Sequence, residues 1–425
     1  MSIETAGARA AGAPLTWAQR RFLFGLALPA FGLSLAYTLV TTYGPVLLED
    51  LSGPTVTGAL IGTEGLLALF IPLLVGGASD RLQTRLGGRL PFVLLGAALG
   101  TAALVLMPLG TGTLLWVALC LGAFFVSYFI YYVPYYALYP DLVPREALGR
   151  SQGFQGTFRS AGLLVGMSFG GVWLAIWRPL PFLIGAVAVL AVTAALFVLV
   201  RRQEVEEHHH LQQHKGVRDA LAMVRNDERI RRWMIANTCW EASLGSLRTF
   251  VILYFTIGLG LSLQTTSAAL ALVGVGALLA APVAGKLADR FGSRRVIKVA
   301  IWIFIAGLVP TQFSTTSLYV IAIVPVAFAA VVMMTLPYAI LVDLLPQRRD
   351  HGVGAGLFQL SRGFGIILGP LLAGLATDAS DGLDGPFSYA ATSGYSSIFG
   401  VSLIFLLIST LFMQRLEAVA PQPQG

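Results

Sequence analysis

The sequence predicts an all-α membrane protein with twelve transmembrane helices in two pseudo-symmetric six-helix bundles. Three observations predict it. First, the chain is 56% hydrophobic and only 12% charged, against about 25% charged in ordinary soluble domains. With a mean hydropathy of +0.77, its apolar surface is more than a soluble core could hide, so lipid must be the solvent for much of it. Second, apolar runs of about 20 residues, the length that crosses a bilayer, recur along the whole chain. Third, a charged stretch is repeated at half-length. Gly76 to Pro91 holds Asp80, Arg81, Arg85 and Arg89, and a partial copy runs from Gly285 to Arg295, with Asp289 placed 209 residues after Asp80. A charged hairpin at matching points of two halves marks a duplicated membrane protein.

Six runs near 22–48, 55–77, 91–109, 112–138, 151–177 and 179–200 make the first half. Six more near 232–258, 264–288, 295–313, 315–342, 352–377 and 392–413 make the second. Backbone polar groups in lipid must be satisfied within each segment, so these runs are helices. The short-period alternation of a membrane barrel is absent. The chain divides into a first bundle (1–200), a central linker (201–231) and a second bundle (232–425). The first run, preceded by Arg9, Arg20 and Arg21, is too long for the apolar core of a cleavable leader and reads as an uncleaved span.

Lys and Arg set the orientation. They concentrate in alternate loops: Arg81, Arg85 and Arg89; Arg145 and Arg150; Arg201 to Arg232; Lys286 to Arg295; and Arg348 with Arg349. The opposite loops carry Glu49, Asp50, Arg178, Asp378, Asp381 and Asp384. The basic side, with both termini, is expected to be cytoplasmic, and a bacterial inner membrane is the expected location. The net charge of +7 is spent on this asymmetry, which argues against a nucleic-acid partner. His208, His209, His210 and His214 lie in the linker among Glu204, Glu206 and Glu207. A solvated linker and a metal site both fit that composition, and the first is favoured. Cys120 and Cys239 both fall in apolar runs and are expected to pack without forming a disulfide. No phosphate-cradling loop, zinc motif or nucleophile elbow occurs, so no cofactor, no resident metal and no enzymatic activity are expected.

The repeat extends beyond the loops. Pro134-Tyr135 recurs as Pro337-Tyr338, Asp141 as Asp343, Gly153-Phe154-Gln155 as Gly356 to Gln359, and Arg159 as Arg362. The Asp80-Arg81 to Arg89 loop, its copy at Asp289-Arg290 and the six-plus-six pattern resemble the major facilitator superfamily over nearly the whole chain. The longer loop, with Thr84-Arg85 and the terminal Pro91-Phe92, is most similar to sucrose-type and glycoside–pentoside–hexuronide cation symporters. That resemblance implies proton-coupled symport of a sugar or glycoside by alternating access, by a monomer. Leu66 to Ile71 is apolar where sodium-coupled members carry carboxylates, and Tyr135 and Tyr136 stand where plant-type sucrose carriers place an arginine. The other reading kept open is proton-coupled efflux of amphipathic drugs or metabolites.

Charges inside hydrocarbon cost about 2.5–3.5 kcal/mol each on insertion scales, so each one calls for a role. Glu64 and Glu241 are the candidates for proton coupling, because a buried acid gains from shedding its charge. A permanent pairing with arginine is the alternative for both. Arg248 lies two turns beyond Glu241, about 10 Å along the axis, so each is expected to find its partner on another helix. Asp80, Arg81, Arg89, Asp141, Arg159, Asp289, Arg290, Asp343 and Arg362 are assigned to gating, as ion pairs that form and break with the transport cycle. Arg159 and Arg362 also suit an anionic substrate. Tyr43, Tyr128, Tyr132, Gln155, Asn237, Trp240, Arg248 and Gln359 are the expected substrate-cavity residues, with Trp240 placed to stack on a pyranose. The aromatic run of the fourth span, Phe124 to Tyr139, suits sugars, amphipathic drugs or plain packing.

Overall fold

A computed structural model describes residues 16–82, 84, 86–110, 112–143, 148–201, 223–312, 319–345, 351–383 and 390–418. The histidine cluster of the linker, Arg85, Arg145, Arg348 and Arg349 lie outside the described residues.

All regular structure among the described residues is helical. The elements are α1 (Trp17–Thr38), α2 (Gly44–Glu49), α3 (Pro54–Arg81), α4 (Leu90–Leu106), α5 (Leu114–Leu142), α6 (Leu148–Ile176), α7 (Leu180–Val200), α8 (Glu228–Leu253), α9 (Leu263–Phe291), α10 (Ser293–Gln312), α11 (Tyr319–Thr335), α12 (Pro337–Leu344), α13 (His351–Ser380) and α14 (Ser397–Ala418). Ten stretches among the described residues are long and apolar enough to span a membrane. Helices α8 and α10 complete the twelve expected spans but are not among those ten. Helix α8 carries Asn237, Glu241 and Arg248 within it, and α10 opens on Arg294, Arg295 and Lys298.

Helix starts follow local capping chemistry. Thr16 and Gln19 exchange side-chain bonds in a capping box that opens α1. Asp227 caps α8 and Ser262 caps α9, each accepting from a backbone N–H of the first turn. The two charged loops each use a glycine at positive φ, Gly87 at 78° and Gly292 at 83°, a turn geometry that side-chain-bearing residues resist.

The chain forms two compact units, residues 1–43 with 70–211, and residues 44–69 with 212–425. Helix α3 is shared between them: residues up to Leu69 belong to the second unit and those from Phe70 to the first. Each unit repeats one packing plan. In the first, α1 packs on α6 and α7, and α4 packs on α5 and α7. In the second, α8 packs on α13 and α14, and α10 packs on α11 and α14. The repeat reaches the backbone hydrogen bonding, because α1 and α8 both run on into a π-helical turn, Leu39–Tyr43 and Tyr254–Gly258. Such turns are uncommon and cluster at functional sites.

Small-residue stripes set the closest contacts. In α6, Gly162, Gly166 and Gly170 face α1 and the π turn after it, and a methyl on Gly162 would meet the Phe31 carbonyl at 2.4 Å. The matching stripe in α13, Gly365 and Gly369, faces α8, where a methyl on Gly365 would meet Glu241 Cβ at 2.5 Å. Without a hydrophobic force between helices in lipid, such backbone approach supplies packing energy.

Candidate functional site

The charged site lies in the second unit, where the first half of α3 meets α8 and α13. Gly58, Gly62 and Gly65 lie along one side of α3, against Pro370, Ile367 and Gly363 of α13. The Asp378 carboxylate, at the far end of α13, accepts from Thr55 N–H at 2.9 Å and so caps the start of α3. This close crossing brings Glu64 to α8. Arg248 Nη2 donates to Glu64 Oε2 at 3.0 Å, and Glu64 is 2% exposed. Two turns earlier on α8, Glu241 is also buried, and its Oε2 lies 3.7 Å from Arg362 Nε of α13. The expectation that Glu241 and Arg248 find partners on other helices is met on both sides.

The two pairs are one electrostatic unit, because Glu241 interacts with Arg362, Arg248 and Glu64 together. Two acids and two guanidinium groups balance in formal charge, so each buried group has an opposite charge beside it. Arg362, assigned to gating, lies against Glu241 in mid-helix. Arg248 likewise is engaged by Glu64.

Several residues expected to line a cavity are instead in the packing. Trp240 is fully buried. Asn237 is buried and its amide donates to Ser361 Oγ at 2.8 Å. Tyr43 is buried in the π turn of the first unit, with its hydroxyl donating to the Met167 carbonyl at 2.9 Å. Gln155 is buried as well, whereas Gln359 keeps partial exposure. A tryptophan or asparagine at mid-depth reads alike in sequence whether it lines a cavity or a helix seam.

Helix α5 of the first unit sorts its tyrosines by face. Tyr131, Tyr135 and Tyr139 are buried and structural: Tyr135 and Tyr139 both donate to the Leu26 carbonyl of α1, at 2.9 and 3.2 Å, and Tyr131 accepts from Thr193 of α7. One helical step away, Tyr128, Tyr132 and Tyr136 are partly exposed and form a ladder. Ring centroids are 5.4 Å apart for Tyr128–Tyr132 and 4.1 Å for Tyr132–Tyr136. Tyr37 of α1 extends the ladder at 5.0 Å from Tyr128. The sequence reading did not single out Tyr37, because only the α1–α5 crossing brings it to the ladder. Arg159 of α6 is exposed and close enough to Tyr136 for its charge to act on that ring.

The motif loops differ between repeats. In the first unit Arg89 bridges two helix ends, pairing with Asp80 of α3 at 3.2 Å and with Asp141 of α5. Arg89 is therefore the partner of both Asp80 and Asp141. In the second unit Asp289 and Asp343 form no ion pair among the described residues. Arg290 lies over the Phe291 ring at 5.2 Å, and Asp343 lines an open cleft with Arg294 and Arg295.

The comparisons agree with this architecture. The Klebsiella pneumoniae (strain 342) protein named Multidrug resistance protein MdtG is 26% identical, covering 97% of this chain and 98% of its own length. A crystal structure of a bacterial homolog of the human lysosomal transporter Spinster, inward-facing and unoccupied, shares the fold with a TM-score of 0.75 at 16% identity, over 95% of this chain and 98% of that one. The crystal structure of the nucleoside transporter NupG does so at 0.73 and 16%, over 93% and 98%. The family model described as Major Facilitator Superfamily matches residues 31–276 and 242–424. With ten helices able to span a membrane among the described residues, one packing plan in both units and a family model matched from one half to the other, the chain belongs to the Major Facilitator Superfamily of membrane transporters.

Proposed function

We propose that this protein exports amphipathic organic compounds by proton antiport and alternating access, as a monomer in a bacterial inner membrane with both termini cytoplasmic. The observation that carries the reading is the partly exposed tyrosine ladder of α5. Flat aromatic faces receive apolar, ring-bearing molecules without demanding many hydrogen bonds. A sugar demands them, and the polar residues that would have supplied them, Asn237, Trp240 and Gln155, are buried in packing. The full-length likeness to proteins named for multidrug resistance favours the same choice. The sucrose-type resemblance of the Asp80 loop supports the transporter family rather than a sugar substrate.

Coupling is assigned to Glu64 and Glu241. A proton on Glu241 removes the counter-charge of Arg362, and because the four groups share one field, the Glu64–Arg248 pair is perturbed with it. Helices α3, α8 and α13 then have a different lowest-energy arrangement in each protonation state, which is what a proton-driven switch requires. The Arg89 bridge between Asp80 and Asp141 is assigned to holding one of the transport states.

The test is expression in a bacterial strain lacking its own drug pumps. Accumulation of an amphipathic dye should fall, and a protonophore should restore it. Unchanged dye accumulation together with faster sugar uptake would overturn the reading.

A further inference from the structure

Among the mid-span charges, Arg248 and Arg362 each have an acid. Arg159 does not: no carboxylate pairs with it among the described residues, and Asp141 is held by Arg89. Arg159 lies eleven residues into α6, about 16 Å along its axis. A guanidinium exposed to hydrocarbon at that depth would cost several kcal/mol, so its exposed surface faces water inside the protein. The ladder of Tyr136, Tyr132 and Tyr128 offers about 12 Å of ring surface on one face of α5, and Arg159 is near enough to Tyr136 for its charge to act on that ring.

We propose that Arg159 and the Tyr128–Tyr132–Tyr136 ladder form a binding site for planar aromatic anions, in which the ligand's carboxylate or sulfonate supplies the counter-charge Arg159 lacks. The ring system lies along the tyrosines and the acid group reaches the guanidinium, which can bond it through two parallel N–H groups. This names the substrate class of the export site and rests on the export reading for its physiological role. Tyrosine faces alone would attract organic cations. A fixed positive charge at the end of the ladder reverses that preference.

The experiment is binding to the purified full-length protein in nanodiscs, by calorimetry, using 2-naphthoate and the similarly shaped cation (2-naphthyl)trimethylammonium. Naphthoate should bind on the order of tenfold more tightly. Arg159→Gln should erase the difference, Arg159→Lys should keep part of it, and Tyr132→Ala should weaken both ligands alike while the melting temperature holds. Equal or tighter binding of the cation, or an unchanged preference in Arg159→Gln, would overturn the proposal. The export reading is judged separately by dye accumulation in cells. Arg159-dependent naphthoate binding without any dye export keeps the site and removes the export role. Dye export with cation-preferring binding does the reverse.

Discussion

Arg159 and Arg362 hold matching places in the two repeats, and the structure treats them oppositely. Arg362 is drawn to Glu241 and becomes one corner of a neutral four-charge set. Arg159 stays exposed beside a row of tyrosines. The motif loops diverge the other way: in the first unit Arg89 ties Asp80 to Asp141, whereas Asp289 and Asp343 make no such bridge among the described residues. Duplication preserved the packing of α1 and α4, and of α8 and α10, on their neighbours, and the π turns after α1 and α8. It did not preserve the use made of the polar side chains. The buried ion pairs lie in the second unit and the partly exposed tyrosine ladder in the first.

The sharpest way to break this division is to remove one member of a buried pair. Arg248→Ala leaves Glu64 charged and nearly inaccessible, and should cost about 3–5 kcal/mol, seen as loss of folded protein or a large drop in melting temperature. Replacing both partners, Glu64→Leu with Arg248→Met, should recover most of that stability while abolishing proton-driven transport. Arg159→Met, at the matching place in the first repeat to Arg362, should change stability by no more than about 0.5 kcal/mol. If Arg362→Met melts like Arg159→Met, the proposed difference between the repeats is wrong.

Gly365→Ala comes next. Its methyl would fall 2.5 Å from Glu241 Cβ and 2.6 Å from the Thr238 carbonyl. The helices must part, at about 1–3 kcal/mol, and transport should fall with the Glu241–Arg362 geometry. A smaller effect separates the loops. Asp141→Asn should lower the transport rate roughly fivefold, the equivalent of about 1 kcal/mol for a partly exposed ion pair. Asp343→Asn should change it little. Equal losses in flux assays would mean that both loops latch. Smallest is Tyr135→Phe, which removes a buried hydroxyl bonded to the Leu26 carbonyl and should cost about 0.5–1.5 kcal/mol in melting experiments. Tyr132→Phe should cost less, since Tyr132 is partly exposed and its hydroxyl can be replaced by water.

The spans were legible because lipid permits so few alternatives: a run of about 20 apolar residues must be a helix. Even α8 and α10, diluted by Glu241, Arg248 and the Arg294-Arg295 pair, could be placed by the repeat. That Glu64, Glu241 and Arg248 needed partners was legible from the cost of an intramembrane charge. Which partners they take was not. Sequence spacing excludes a Glu241–Arg248 bridge but does not say that the Gly58, Gly62 and Gly65 stripe brings α3 against α13. The burial of Trp240 was not legible for the same reason, since a helix with polar residues on several sides does not announce which side is open. In α5 the two tyrosine faces interleave at one residue's spacing, and only contact with Leu26 and Thr193 separates packing from ladder.

The central claim is that the buried acids of the second unit carry the proton coupling. Its most direct test is Glu241→Gln reconstituted in liposomes, comparing transport driven by a pH gradient with substrate exchange at equal pH on both sides. The account predicts that gradient-driven accumulation disappears while exchange continues at near its normal rate. Gradient-driven accumulation that survives the substitution would contradict it.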